Sequence, residues 1–412
     1  MARSSYILDP IEPKKRVLSL DILRGFAVLG IVVMNIQSFA MPSVAYSNPT
    51  VFENLSGNDL YVYLFSYVFA DQKFMSIFSM LFGASLVMLS QKARKENLRS
   101  TDLQNRRLLF LALFGLVHAY LIWYGDVLFM YAICGFAMFV FRRKKSVFQI
   151  RTGIALLAVG SLISLLLGYT VPFWEPGEYE AAQTEIWSPT SEEISKEIDY
   201  YTSAWERQIL YRAPQAFNLQ TTVFVFENFW RICGLMLIGM ALYKRNVFKA
   251  KQSTKYYSKM IVYGLGIGLP LVAGGALLNF TYEWDFRISF FFVSQLNYWG
   301  SVLMAIGYIG IIMLICKAAQ NQGKVLQRFA DVGKMALSTY LIQSIIMGII
   351  FYGHGFGLFG EIERSIQGIF ILGMWVFNIL FAWVWLSMYK YGPFEWAWRS
   401  LTYGKLQSMA KD

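Results

Sequence analysis

The chain has 412 residues, of which 56% are hydrophobic and only 15% charged, whereas a soluble domain carries about 25% charged residues. Its mean hydropathy of +0.43 and its long apolar blocks exclude an ordinary soluble fold and point to an integral membrane protein. The net charge of +11 does not signal nucleic acid, because the basic residues sit in short connections between apolar blocks, the pattern that orients membrane proteins.

Taken in order, the apolar blocks predict an all-α, polytopic helical bundle with about ten spans, forming a single transmembrane domain over 1–412. The spans fall at roughly 18–41, 72–91, 106–124, 126–142, 147–170, 219–243, 257–279, 288–316, 334–353 and 366–389, each near the length that crosses a bilayer. The first, within SLDILRGFAVLGIVVMN, carries Asp21 and Arg24 three residues apart, so the two can pair on one helix face. Asn35 follows eleven residues after Arg24, nearly a whole number of turns, and shares that face roughly 16 Å further along. Such a stripe must face protein or water, since an unpaired charge in lipid costs several kcal/mol. Lys14, Lys15 and Arg16 ahead of the run, with Ser43-Val44-Ala45 behind it, also suggest a cleaved signal peptide. The acidic and basic start of the run and its length favour a retained span instead.

Residues 58–70 read as an interfacial helix before the second span. Between the fifth and sixth spans, residues 171–218 carry nine acidic and three basic side chains and form an acidic lid or cap, with an amphipathic helix expected around Ser191–Tyr211. An N-terminus in the cytoplasm puts both termini inside and this loop outside. That arrangement places 29 of the 37 Lys and Arg residues on the cytoplasmic side and five outside, a strong positive-inside bias. The sixth span, ENFWRICGLMLIGM, faintly echoes the first, as in five-plus-five inverted repeats of transporters.

Polar groups within spans fall into two layers. The inner one is Asp21 with Arg24. The outer one gathers Asn35, His118, Glu227, Asn228, Arg231, Asp71, Lys73, Asp126 and Gln343, which are expected to converge on one outward-opening polar cavity. Glu227 and Arg231, four residues apart, can form an intrahelical ion pair. Asp71, Lys73 and Asp126 read equally as interfacial residues with wet ends. His118 is the one histidine within a span, and imidazole suits acid–base chemistry near neutral pH, although a lone buried histidine is more often a packing residue. His354 lies in the Gly-rich outer segment Gly353-His354-Gly355. Cys134, Cys233 and Cys316 read as small packing residues. No metal-ligand spacing, phosphate-cradling glycine loop or Ser-His-Asp order is visible, so no metal is expected.

Several motifs carry a resemblance. SLDILRGFAVLGIVVMN, KFMSIFSMLFGAS (73–85), RRLLFLALFGLVHAYLIWYGDVLFMYAICG (106–135), GKMALSTYLIQS (333–344) and YGPFEWAWRSLTYGK (391–405) resemble the YeiB-like bacterial membrane proteins, whose domain is catalogued as one of unknown function, number 418. The opening SLDxxRG followed by Asn35 is also similar to the heparan-α-glucosaminide N-acetyltransferase group within a transmembrane acyltransferase superfamily. This wider resemblance implies transfer of an acyl group from cytoplasmic acyl-CoA to an envelope acceptor. Arg24 and Arg399 would then meet the CoA phosphates or orient the thioester, with Asp21 holding Arg24. His118 would serve as base or acyl carrier, its ring oriented by Asp126 or Glu227, and Asn35 would belong to the same catalytic set. The acetyltransferase group, however, places its active histidine just after the first span, where residues 40–61 of this chain have none.

The leading expectation is therefore an acyltransferase-like protein of the bacterial plasma membrane, with acyl-CoA as co-substrate and no permanently bound cofactor. Asp71, Lys73, Glu227, Arg231 and Gln343 join Asp21, Arg24 and Arg399 as candidate substrate-binding residues. The expected partners are the lipid bilayer and a small-molecule, lipid or glycan acceptor, with no nucleic acid; assembly as a homo-oligomer is left open. The rival readings are a transporter or exporter of a small amphipathic or anionic solute, and a non-catalytic membrane protein.

Overall fold

The computed structural model describes residues 17–52, 55–95, 100–320 and 323–411. Lys14, Lys15 and Arg16, invoked for the signal-peptide alternative, lie outside the described residues. The long helices follow from the apolar blocks. From the N-terminus they are α1 (Leu18–Ala40), the single turn α2 (Val44–Ser47), α3 (Gly57–Phe69), α4 (Lys73–Lys95), α5 (Ser100–Val117), α6 (Leu128–Phe139) and α7 (Ser146–Thr170). Three helices then build the cap: α8 (Pro176–Ile186), α9 (Ser191–Thr202) and α10 (Trp205–Gln220). The chain continues through α11 (Phe229–Lys244), α12 (Thr254–Thr281), α13 (Ser294–Ala318), α14 (Lys324–Lys334), α15 (Ala336–Phe351), α16 (Arg364–Met388) and α17 (Pro393–Tyr403). No strand element occurs among the described residues.

Among the described residues, eight helical stretches are long and apolar enough to cross a membrane, and α14 with α15 forms a ninth, bent by 78°. The protein is thus an all-α, multi-pass membrane bundle. The segment expected as a fourth span is shorter: α6 has 12 residues and runs into a 3₁₀ turn at Val140–Arg143. It sits inside the bundle, with Met130, Ala132, Cys134 and Phe139 buried. The interfacial helix expected at 58–70 is α3, and it leads directly into α4. The amphipathic stretch expected around 191–211 is divided into α9 and α10. A capping box at Thr190 and Glu193 starts α9, and α10 runs on through a π-turn at Phe224–Asn228 into α11.

Two helices form the centre. In α11 every side chain from Arg231 to Tyr243 is buried, against α4, α6 and α7. The other, α1, is enclosed by α4, α14, α15 and α16. Close approach of α1 and α14 depends on paired glycines. A Cβ at Gly25 would fall 1.9 Å from the Phe329 carbonyl oxygen, and one at Gly333 1.8 Å from that of Asp21. By contrast, α7, α12 and α16 expose Leu162, Leu166, Val262, Ile267, Ile369 and Leu372. An outer belt of that composition suits lipid rather than water.

The basic connections meet at one end of the bundle. Lys244 donates to the Lys144 carbonyl at 2.6 Å, Lys317 to Gln252 at 2.8 Å and Arg106 to Leu401 at 2.9 Å. The cap closes the opposite end. There the Gly353 N–H donates to the Tyr201 carbonyl and the Gly360 N–H to Ala40.

Candidate functional site

At the basic end a cavity of about 280 Å³ opens between α1, α4, α5, α15 and α17. Its mouth is cationic, with Arg24, Lys92, Arg107, Lys334 and Arg399 on the wall; Leu81, Phe82, Leu111, Val127 and Leu128 line the interior. Arg24 is half-buried and donates to Asp21 at 2.8 Å and to the Gly333 carbonyl at 3.3 Å. The Asp21–Arg24 pair expected from spacing is therefore present. The structure also brings Arg399, some 375 residues away along the chain, to the same cavity wall.

The amphipathic helix α17 forms one side of that mouth. Pro393 starts it and Gly404, at φ 65°, ends it. The Trp398 ring lies under the Arg107 guanidinium at 4.8 Å, and its Nε1 donates to the Arg107 carbonyl at 2.9 Å. Glu395 turns inward and caps α15, accepting from the Leu337 N–H at 2.7 Å, the Ser338 N–H at 3.1 Å and the Ser338 hydroxyl. A carboxylate at a helix N-terminus is favourable, yet burial here outweighs those bonds and pushes the Glu395 pKa up.

The inner end of the cavity reaches Tyr131 and Tyr340. Behind them lies the second feature. At the end of α5 the helix widens into a π-turn, His118–Ile122, a distortion often found at functional sites. His118 and Asp126 are both fully buried, and Nδ1 of His118 is 3.0 Å from Oδ1 of Asp126. Oδ2 of the same carboxylate accepts the Phe129 N–H at 2.8 Å. Gly115 makes this approach possible, since a Cβ there would meet the Phe129 nitrogen at 2.3 Å and Oδ2 of Asp126 at 2.8 Å. A carboxylate on Nδ1 places the proton of a neutral imidazole there and leaves the Nε2 lone pair available. Nε2 is buried and has no hydrogen-bond partner. The Tyr340 ring lies 5.1 Å from the imidazole, centre to centre, so one aromatic layer separates His118 from the cavity.

The remaining polar residues do not line this cavity; most of them are buried and bonded within the bundle. Lys73 donates to the Tyr67 carbonyl at 2.7 Å and to Asn297 Oδ1 at 2.8 Å. Asn297 donates to Asp71 at 2.6 Å, and the Tyr46 hydroxyl donates to the other Asp71 oxygen at 2.6 Å. Asp71, Lys73 and Asp126 are thus interior groups, not wet interfacial ones.

Arg231 donates to the Tyr298 carbonyl and to Ser76 and Ser301, at 2.7–3.0 Å. The ion pair expected with Glu227 does not form: the i→i+5 pattern of the π-turn carries Glu227 out of the i,i+4 register, and its side chain is exposed. Asn228 lies on the same turn. Gln343 is buried with Nε2 unpartnered. Asn35 is half-buried and takes no part in the His118–Asp126 pair. His354 is exposed on the cap side, 3.2 Å from Gln208.

Some residues of these clusters were not singled out from the sequence. Lys92, Arg107, Lys334 and Glu395 resemble ordinary charges of short connections. Arg364, one of the five Lys and Arg residues that the sequence places outside, is fully buried and bonded to Gln37 at 2.9 Å and to the Ala45 carbonyl at 2.7 Å. The one signal available in the sequence is that Arg107, Glu395 and Trp398 lie within the motif segments 106–135 and 391–405 quoted above.

Comparison with known proteins gives a concordant result. Over 396 residues, 94% of this chain and 96% of its counterpart, the sequence is 31% identical to the uncharacterized protein YeiB of Escherichia coli. The profile of a family of proteins of unknown function, DUF418, matches residues 242–405. The chain belongs to this YeiB-like family. The family's uncharacterized protein YxaH of Bacillus subtilis is 28% identical over 98% of both chains. An uncharacterized 39.9 kDa protein from the amylase 3′ region of Bacillus acidopullulyticus is 26% identical over 97% of both.

Proposed function

We propose that the protein is a membrane acyltransferase, using acyl-CoA from the cytoplasmic side and an acceptor from the opposite side of the bacterial plasma membrane. The observation that carries this reading is the alignment of two features. A cation-lined, apolar-walled cavity ends at Tyr340, and directly behind that ring stands a buried His118–Asp126 pair with Nε2 unengaged. The five basic residues of the mouth suit the phosphates of CoA, and the apolar interior suits the acyl chain and pantetheine arm.

In the reaction, His118 Nε2 takes the proton from an acceptor hydroxyl or amine as that atom attacks the thioester carbonyl. The carbon–sulfur bond breaks, and the departing thiolate receives the proton from the imidazolium. Asp126 holds the ring and stabilises its charged form. For the thioester and His118 to meet, the Tyr340 side chain must move aside. General-base assistance of this kind contributes about 10²–10⁴-fold.

The test is release of free CoA thiol from acetyl- to octanoyl-CoA by the purified protein in lipid nanodiscs. His118→Ala should abolish turnover above background, and Asp126→Asn should lower it by about 10²-fold or more, with unfolding temperatures close to wild type. Undiminished turnover in His118→Ala would remove the proposed role.

A further inference from the structure

On the side of His118 away from the cavity, the cap delivers a buried cation that no carboxylate neutralises. Arg212 of α10 is fully buried. One guanidinium nitrogen donates to the Ile122 carbonyl, within the π-turn that carries His118. Nε and Nη2 have no partner, and no acidic group lies within ion-pair distance among the described residues. The buried carboxylate of the cap, Glu197, is instead turned to Ser43, accepting from its N–H at 3.0 Å and its hydroxyl at 3.3 Å.

Two more unsatisfied donors belong to the same cluster. The Tyr352 hydroxyl and the Trp123 Nε1 are buried without partners. Trp123 stacks on Phe39 at 4.4 Å, and Phe39 lies 5.9 Å from Tyr352. The Arg212 charge acts on both Tyr352 and His354, and the Trp123 ring is 6.1 Å from that of His118. Buried donors left unpaired are costly, and more so when charged. Chain segments from the cap, the end of α15 and the turn after α5 bring together the Arg212 guanidinium, the Trp123 N–H and the Tyr352 hydroxyl, with the Glu197 carboxylate further off and bonded to Ser43. A guanidinium flanked by an indole N–H and a phenolic hydroxyl that can donate is complementary to an acceptor-rich, negatively charged group. His354 and Gly355, exposed on the cap side, lie next to Tyr352, with the His354 ring 6.0 Å from that of Tyr352.

We propose that Arg212, Tyr352 and Trp123 form an oxyanion-binding subsite that holds a phosphate-type group of the acceptor beside His118. This deepens the acyltransferase reading by naming the acceptor class, and it rests on that reading only for the word acceptor. The binding itself is measured without any acyl donor.

The experiment follows thermal unfolding of the purified protein in neutral detergent, in an Arg24→Gln/Arg399→Gln background that weakens phosphate binding at the basic mouth. Inorganic phosphate and dodecyl phosphate are added separately. At saturation at least one should raise the unfolding temperature by about 2 °C or more. A response to inorganic phosphate assigns a soluble phosphate ligand, and a response to dodecyl phosphate alone assigns a lipid headgroup.

Adding Arg212→Gln should weaken the response about tenfold or more in apparent affinity. Because Arg212→Gln also loses the clamp on Ile122, Tyr352→Phe and Trp123→Phe serve as second variants. Tyr352→Phe keeps its ring and Trp123→Phe keeps an aromatic ring at the site; each removes one donor and should also weaken binding. No response to either phosphate, or equal responses in all three variants, would overturn the subsite. Loss of transferase activity in His118→Ala leaves this test unaffected, so failure of the two readings can be told apart.

Discussion

At the residue scale the bundle is held by buried polar groups with defined partners. Glu395 offers a test independent of catalysis. Its pKa is raised by burial above the ordinary 4.5, so the folded state binds a proton more readily than the unfolded chain. The corresponding stability is fully present below about pH 4.5 and is lost as pH rises through the folded value. Glu395→Gln should therefore flatten the decline in unfolding temperature on the alkaline side of that window, while its amide oxygen can still accept from the Leu337 and Ser338 N–H groups. A variant with an unchanged pH profile would contradict the burial argument. Residue types inside apolar runs were legible: Asp21, Arg24, His118 and Asp126 are conspicuous because lipid tolerates few such groups. Arg107, Lys334, Glu395 and Arg212 were not, because a charge in a short connection serves topology equally well wherever it points.

At the element scale, hydropathy located the long helices, and departures occur where local geometry overrides length. In α6 the run is too short to span, and its neighbours shield it from lipid. Between α14 and α15 the 78° bend follows the interruption at Met335. The π-turns at His118–Ile122 and Phe224–Asn228 have no periodic signature, so spacing alone pairs Glu227 with Arg231 where the structure does not. The glycine contact of α1 with α14 sets the position of Arg24 at the cavity mouth. Gly333→Leu should force the helices apart, costing on the order of 1–3 kcal/mol, and should weaken donor binding through loss of the Arg24 bond to the Gly333 carbonyl. Unaltered stability and donor KM in that variant would show that the close approach is dispensable.

At the scale of the whole molecule, orientation follows from the gathering of basic connections at one end. All three cysteines are buried, so a membrane-impermeant maleimide should report on single introduced thiols. Glu178→Cys, on the exposed cap helix α8, should label in intact cells. Lys255→Cys, exposed at the start of α12, should label only after permeabilisation, and the reverse pattern would invert the topology.

In the proposed function the basic mouth and the His118–Asp126 pair serve one reaction from opposite ends of the same path. This arrangement is tested most directly by steady-state acyl transfer from acyl-CoA, comparing Arg24→Gln/Arg399→Gln with His118→Ala. The account predicts that the double arginine variant raises KM for acyl-CoA about tenfold or more while kcat stays within about twofold, because the lost contacts bind donor and transition state alike. His118→Ala should lose kcat. A His118→Ala protein that keeps its kcat, or an arginine variant with unchanged KM, would contradict it.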